Sequence, residues 1–187
     1  MSSRRCAVAL YLVASLAAPP AAAEETSPYA GRHERPIKAL SREQIDDYRA
    51  GRGMGLALPA ELNGYPGPRH VLDLADELDL TAEQRSRIQT LFDEMRAGAV
   101  RLGERIVGGE AALDRLFAEG VATGEAVREA AVELGRLRGE LRAWHLGYHL
   151  ATREALTPHQ TARYAELRGY GGASGPGHHG HGRGGHR

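Results

Sequence analysis

From Ile88 the apolar residues of this chain recur at steps of three and four: Leu91, Phe92, Met95, Ala99, Leu102, Ile106, then Leu113, Leu116 and Phe117. A second series runs Val127, Ala131, Leu134, Leu137, Leu141, Trp144, Tyr148, Ala151 and Ala155. Such steps return to one face of an α-helix, so each series predicts a long amphipathic helix. Between them Gly120 can close one helix and Thr123 can cap the next. Two long helices joined by so tight a turn make an antiparallel hairpin. Gly108-Gly109 falls inside the first series and predicts a kink or a break there. Ala, Leu, Glu and Arg dominate residues 69–168, with few β-branched residues and little proline, so the fold class is all-α.

A helix of about 30 residues is roughly 45 Å long, more than a compact bundle of this chain length needs. One hairpin buries a single stripe per helix, a thin core against the entropy of ordering. A second copy of the chain is the expected remedy, which makes a homodimer the predicted assembly.

One phrase occurs twice near the ends of this region. Leu80-Thr81-Ala82-Glu83-Gln84 and Leu156-Thr157-Pro158-His159-Gln160 both read Leu-Thr-x-x-Gln. A Thr at the start of a helix accepts a bond from the amide three residues on, and the Gln reaches back to the Thr amide, which closes a capping box. Pro158 takes the first helical position, where its missing N–H costs nothing. Arg85 and Thr161 stand where a hydrophobic staple would need an apolar residue, so Leu80 and Leu156 must pack on something else, such as the neighbouring helix. A looser third version, Leu40-Ser41-Arg42-Glu43-Gln44, precedes a short helical pattern that ends at Gly51.

The chain begins with Met1-Ser-Ser-Arg4-Arg5, continues apolar from Cys6 to Ala18, and reaches Pro19-Pro20-Ala21-Ala22-Ala23. A basic start, a short apolar centre and an Ala-x-Ala exit predict a signal peptide over residues 1–23, cleaved after Ala23. An uncleaved anchor is the competing reading, but the apolar centre falls short of the roughly 20 residues a bilayer span requires. Cleavage removes Cys6, the only cysteine, so neither disulfide nor thiol chemistry is expected of the mature chain. It also removes Arg4 and Arg5 from 24 basic residues, leaving 22 against 24 acidic ones. That balance predicts no nucleic-acid partner held through phosphates.

Two full copies of the phrase around a helical hairpin, behind an export signal, resemble the LTxxQ family of periplasmic proteins, the group of Spy, CpxP, ZraP and the CnrX-type metal sensors. Arg163-Tyr164 after the second copy also matches, and the resemblance covers about residues 69–168. It implies a curved all-helical antiparallel homodimer in the periplasm, with the two motifs starting helices near the ends of the hairpin. It also implies one of two activities. Some members are ATP-independent chaperones that hold unfolded envelope proteins on a concave face, or accessory proteins that damp envelope-stress signalling through a membrane sensor. Others bind zinc, nickel or cobalt.

The metal alternative depends on histidines. His145 and His149 lie four apart on one helical face, a spacing that lets two imidazoles meet one ion, on the flank of the Trp144–Tyr148 stripe. Leu141 and Arg153 do not continue the row, so a complete site would need His70, His33, Asp73 or a residue of a second subunit. Two histidines satisfied by hydrogen bonds are the plainer reading. His178, His179, His181 and His186 lie among the glycines of residues 171–187, a segment with little to bury that is expected to be disordered and to gather zinc or another divalent transition ion loosely. No cofactor is required by either reading.

Residues 24–68 form an N-terminal extension with one short helix and a Gly/Pro-rich stretch, GRGMGLALPAELNGYPGPRH at 51–70. Its apolar residues Met54, Leu56, Leu58, Leu62 and Tyr65 predict an ordered strap laid along the hairpin, with a helix starting near Arg69. Catalysis is not expected: Gly-x-Ser-x-Gly, His-Glu-x-x-His and any paired-Asp motif suited to two metals are missing, and the carboxylates alternate with arginines as on solvated helix faces.

Overall fold

The computed structural model describes residues 27–170, so the predicted signal segment 1–23 and the tail histidines 178, 179, 181 and 186 lie outside the described residues. By its contacts the chain divides after His33. Ahead of that point the described residues are turns and the start of a short 3-10 helix, Arg32–Glu34, with the Ser27 hydroxyl accepting a bond from the Tyr29 N–H at 3.2 Å. Six α-helices belong to the unit that begins at Glu34: α1 (Arg42–Ala50), α2 (Leu58–Glu61), α3 (Pro68–Asp73), α4 (Ala82–Ala118), α5 (Gly124–Glu154) and α6 (Pro158–Leu167). The described chain is all-helical, with no strand.

The caps set the boundaries. Ser41, Thr81 and Thr157 each accept from the amide three residues on, and Gln44, Gln84 and Gln160 each return a carbonyl to the cap amide. The loose third phrase is thus a complete capping box. Gly51 ends α1 in the left-handed region at φ 67°, where a side chain would be strained. Thr123 starts α5 with a single bond from Ala126.

α4 and α5 lie side by side and run in opposite directions. Gln84 bonds to Ala155, Met95 to Trp144 and Arg105 to Glu133, an order that descends along the second partner as it ascends on α4. Ala99, Ile106, Leu134, Leu137 and Leu141 form the seam between them. α1 lies against α4, α2 against α5, and α3 touches both.

α4 does not break at Gly108-Gly109; it is helical throughout. Gly109 serves close packing instead, since a Cβ there would stand 2.9 Å from Leu134 Cδ2. Gly103 plays the same part for α1: a Cβ would stand 2.2 Å from the Tyr48 carbonyl oxygen, so the two backbones meet where a side chain is missing.

The predicted core faces are displaced at both ends. Phe117 is 61% exposed and Ala131 is exposed, whereas Gly98, Gly103 and Val107 are buried. On α5 the buried row runs Leu134, Leu137, Leu141, His145, His149 and Thr152. The histidines therefore continue the core row, with Trp144 and Tyr148 half-buried beside it, the reverse of their expected places. In the stretch 51–70, Met54, Leu58 and Leu62 are exposed rather than strapped down; Leu56 packs on the α4–α5 seam, and Ala57 and Glu61 are buried. A short helix, α2, interrupts this stretch, and α3 begins at Pro68.

Candidate functional site

The two Leu-Thr-x-x-Gln phrases meet in space. Gln84 Nε2 donates to Gln160 Oε1 at 2.9 Å, and Gln160 Nε2 donates to Gln84 Oε1 at 3.0 Å. Each amide also donates to a carbonyl at the other motif, Gln84 to Ala155 at 2.9 Å and Gln160 to Leu78 at 3.1 Å. Each carbonyl oxygen accepts from its own cap amide, Thr81 at 3.1 Å and Thr157 at 2.9 Å. Both side chains thereby use two donors and two acceptor positions, their full capacity. Leu80 is buried beside this clasp with Val71, Leu78, Ile88 and Tyr164, and Leu156 packs against the same cluster. The motif residues Leu80, Thr81, Gln84, Leu156, Thr157 and Gln160 thus tie the start of α4 to the end of α5 and the start of α6.

Next to the clasp lies a carboxylate that no sequence motif marks. Glu61 is 6% exposed. It accepts from the Tyr164 hydroxyl, from the Gly67 N–H at 3.1 Å and from Tyr170 at 3.3 Å, with His70 Nδ1 at 3.4 Å and Arg168 Nε at 3.7 Å. Burial pushes its pKa up, but the bonds from His70, Tyr164 and Gly67 outweigh that and hold it at about 2. Burial and the same contact push the Tyr164 hydroxyl well above its usual range. One ionised carboxylate therefore joins α2, α3 and α6.

His145 and His149 border a cavity of about 740 Å³, which is also lined by Met54, Glu61, His70, Asp73, Phe92 and Met95. His149 Nδ1 is 2.7 Å from the Tyr65 carbonyl oxygen, which can only accept, so Nδ1 carries the proton and Nε2 the lone pair of the neutral ring. Gly67 faces that edge, and a Cβ there would stand 2.9 Å from both Nε2 and Cε1. His145 is 2% exposed, and its Nε2 is buried with no hydrogen-bond partner. Burial, and secondarily the neighbouring His149, push its pKa down, which favours the neutral ring. Only one of the two is satisfied as the plainer reading expected. His70 and Asp73 reach the same cavity, but among the described residues no group of three His, Cys, Asp or Glu is gathered to hold a metal.

Across α4 and α5 runs a second hollow, a groove of about 900 Å³. Its apolar parts are Leu91, Leu102, Ala143, Trp144, Tyr148 and Ala151, with Gly98 and Gly147 between them. Glu94, Arg101, Arg105 and Glu140 stand among these. The Trp144 and Tyr148 rings are tilted at 58° with centroids 5.2 Å apart, and Trp144 Nε1 donates to the Met95 carbonyl at 2.9 Å. A Cβ on Gly98 would strike the indole at 2.3 Å, so this glycine lets Trp144 lie across α4.

No family model, curated protein or solved structure matches this chain.

Proposed function

We propose that this chain is a periplasmic, ATP-independent client-binding protein of the LTxxQ kind, exported by a cleaved signal peptide, and that unfolded envelope proteins lie in the groove across α4 and α5. The groove carries this reading. It presents an indole, a phenol and leucine side chains in one strip, interleaved with two carboxylates and two guanidinium groups. Apolar contact supplies attraction to any unfolded segment, and the mixed charges favour solubility and easy release, because no single deep anchor dominates. In this reading the antiparallel α4–α5 pair is a rigid hairpin cradle, its far end fixed by the glutamine clasp. Two copies form a curved homodimer, for which the exposed Phe117, Val121, Val132 and Leu150 supply apolar surface. A membrane sensor of envelope stress is the further partner the family likeness suggests.

The test is suppression of aggregation of a chemically denatured model protein without nucleotide. Wild-type protein at equimolar ratio is expected to suppress it. Ala143→Arg places a long charged side chain from an exposed position into the groove; it should keep full helix content and lose most of the protection. No suppression at molar excess of the wild type defeats the proposal.

A metal-binding role is the second reading, favoured by the unpartnered His145 Nε2 beside His149. In it, binding of zinc or another divalent ion alters the packing around α5, and the tail histidines add weaker sites.

A further inference from the structure

We propose that the cavity beside His145 and His149 binds a soft monovalent ion, Cu(I) or its analogue Ag(I), through the two imidazoles and the Met95 thioether, with Met54 closing the set at the mouth. The proposal rests on the metal reading above and gives it an ion and two further ligands.

The donor set carries it. Met54 and Met95, the two methionines among the described residues, line one cavity together with both buried histidines of α5. Thioether sulfur is the donor that favours soft Cu(I), and neutral imidazole, which also suits divalent ions, completes the set. His149 already has the outer hydrogen bond that orients a ligating imidazole: Nδ1 donates to the Tyr65 carbonyl, which leaves Nε2 to bind, and Gly67 leaves that edge without a side chain to cover it. His145 contributes the buried nitrogen that no hydrogen bond uses.

The anionic groups nearby are committed elsewhere. Glu61 accepts from Tyr164 and the Gly67 amide, and Asp73 pairs with Arg69 at 3.1 Å. No third His, Cys, Asp or Glu joins the pair among the described residues, so the further donors of this cavity are its sulfurs. Arg52, Arg69 and Arg96 at the same cavity disfavour a doubly charged ion more than a singly charged one. The buried Glu61 carboxylate, its Oε2 3.8 Å from His149 Nδ1, is the negative charge nearest the imidazole pair that offsets a monovalent cation.

The experiment uses the full chain with methionine methyl groups labelled with carbon-13, titrated with Ag(I), and Cu(I) affinity measured anaerobically against a chromophoric chelator. One equivalent of Ag(I) should move the Met95 methyl signal and the His145 and His149 ring signals together. Met95→Leu, close in volume, should weaken Cu(I) binding about tenfold or more at unchanged helix content. The labelled wild type decides the matter without any variant. Silver that leaves Met95 unmoved, or that moves only the histidines beyond Tyr170, overturns the site. Zinc that moves the two rings with Met95 still overturns the soft-ion assignment and leaves the divalent reading standing. If neither metal moves any of these signals, both readings of the cavity fall.

Discussion

Gln160→Ala is expected to lower the free energy of unfolding by about 3 kcal/mol, against about 1 kcal/mol for Thr157→Ala. The threonine change removes one cap bond at an exposed position. The glutamine change removes the return bond to the Thr157 amide, leaves the Leu78 carbonyl without its donor, and deprives Gln84 of both halves of the reciprocal amide pair. Buried polar groups left unpaired cost about 1–3 kcal/mol each, which is why the clasp should outweigh a plain helix start. Urea denaturation of both variants checks this. Equal losses would mean that the repeated phrase does no more than begin two helices.

The second large effect concerns Glu61 and acid. Its carboxyl sits at about 2 in the folded chain, against 4.5 for an unperturbed glutamate. The folded value is depressed, so the group contributes stability that is fully present above pH 4.5 and is lost as pH falls from 4.5 towards 2. The full contribution is about 3 kcal/mol, an order-of-magnitude figure at a site shared by several donors. Glu61→Gln should therefore weaken the protein at pH 7 by a comparable amount and flatten its stability profile between pH 4.5 and 2. Urea midpoints across that range are the measurement. A wild-type profile that is flat there would show that Glu61 is not a charged hub.

Local signals in the sequence were reliable where a few neighbouring residues decide the outcome. Ser41, Thr81 and Thr157 start helices with the glutamines completing the boxes, and periods of three and four mark α4 and α5. What the sequence withheld is long-range. Nothing in two separate capping boxes says that Gln84 and Gln160 will face each other across 76 residues and saturate one another. Glu61 lies in the run Ala57-Leu-Pro-Ala-Glu61-Leu-Asn, where a charged residue between exposed leucines reads as surface; only the arrival of Tyr164 and His70 from distant segments makes it buried. Two misplacements have a common physical source. Trp144 and Tyr148 draw the apolar stripe towards themselves on any hydrophobicity scale, yet the row Leu134, Leu137, Leu141 continues by steps of four onto His145 and His149. Small residues decide close approaches in the same way: Gly98, Gly103 and Gly109 count as helix-weakening in isolation but face an indole, a backbone carbonyl and a leucine.

The groove proposal places an intrinsic reporter where the client should lie, because Trp144 is the single tryptophan of the chain. Titrating the protein with a permanently unfolded, tryptophan-free polypeptide should shift Trp144 emission saturably, and Ala143→Arg should abolish the shift. A polypeptide that binds, by an independent label, while Trp144 emission stays unchanged would contradict the account, as would the absence of any binding.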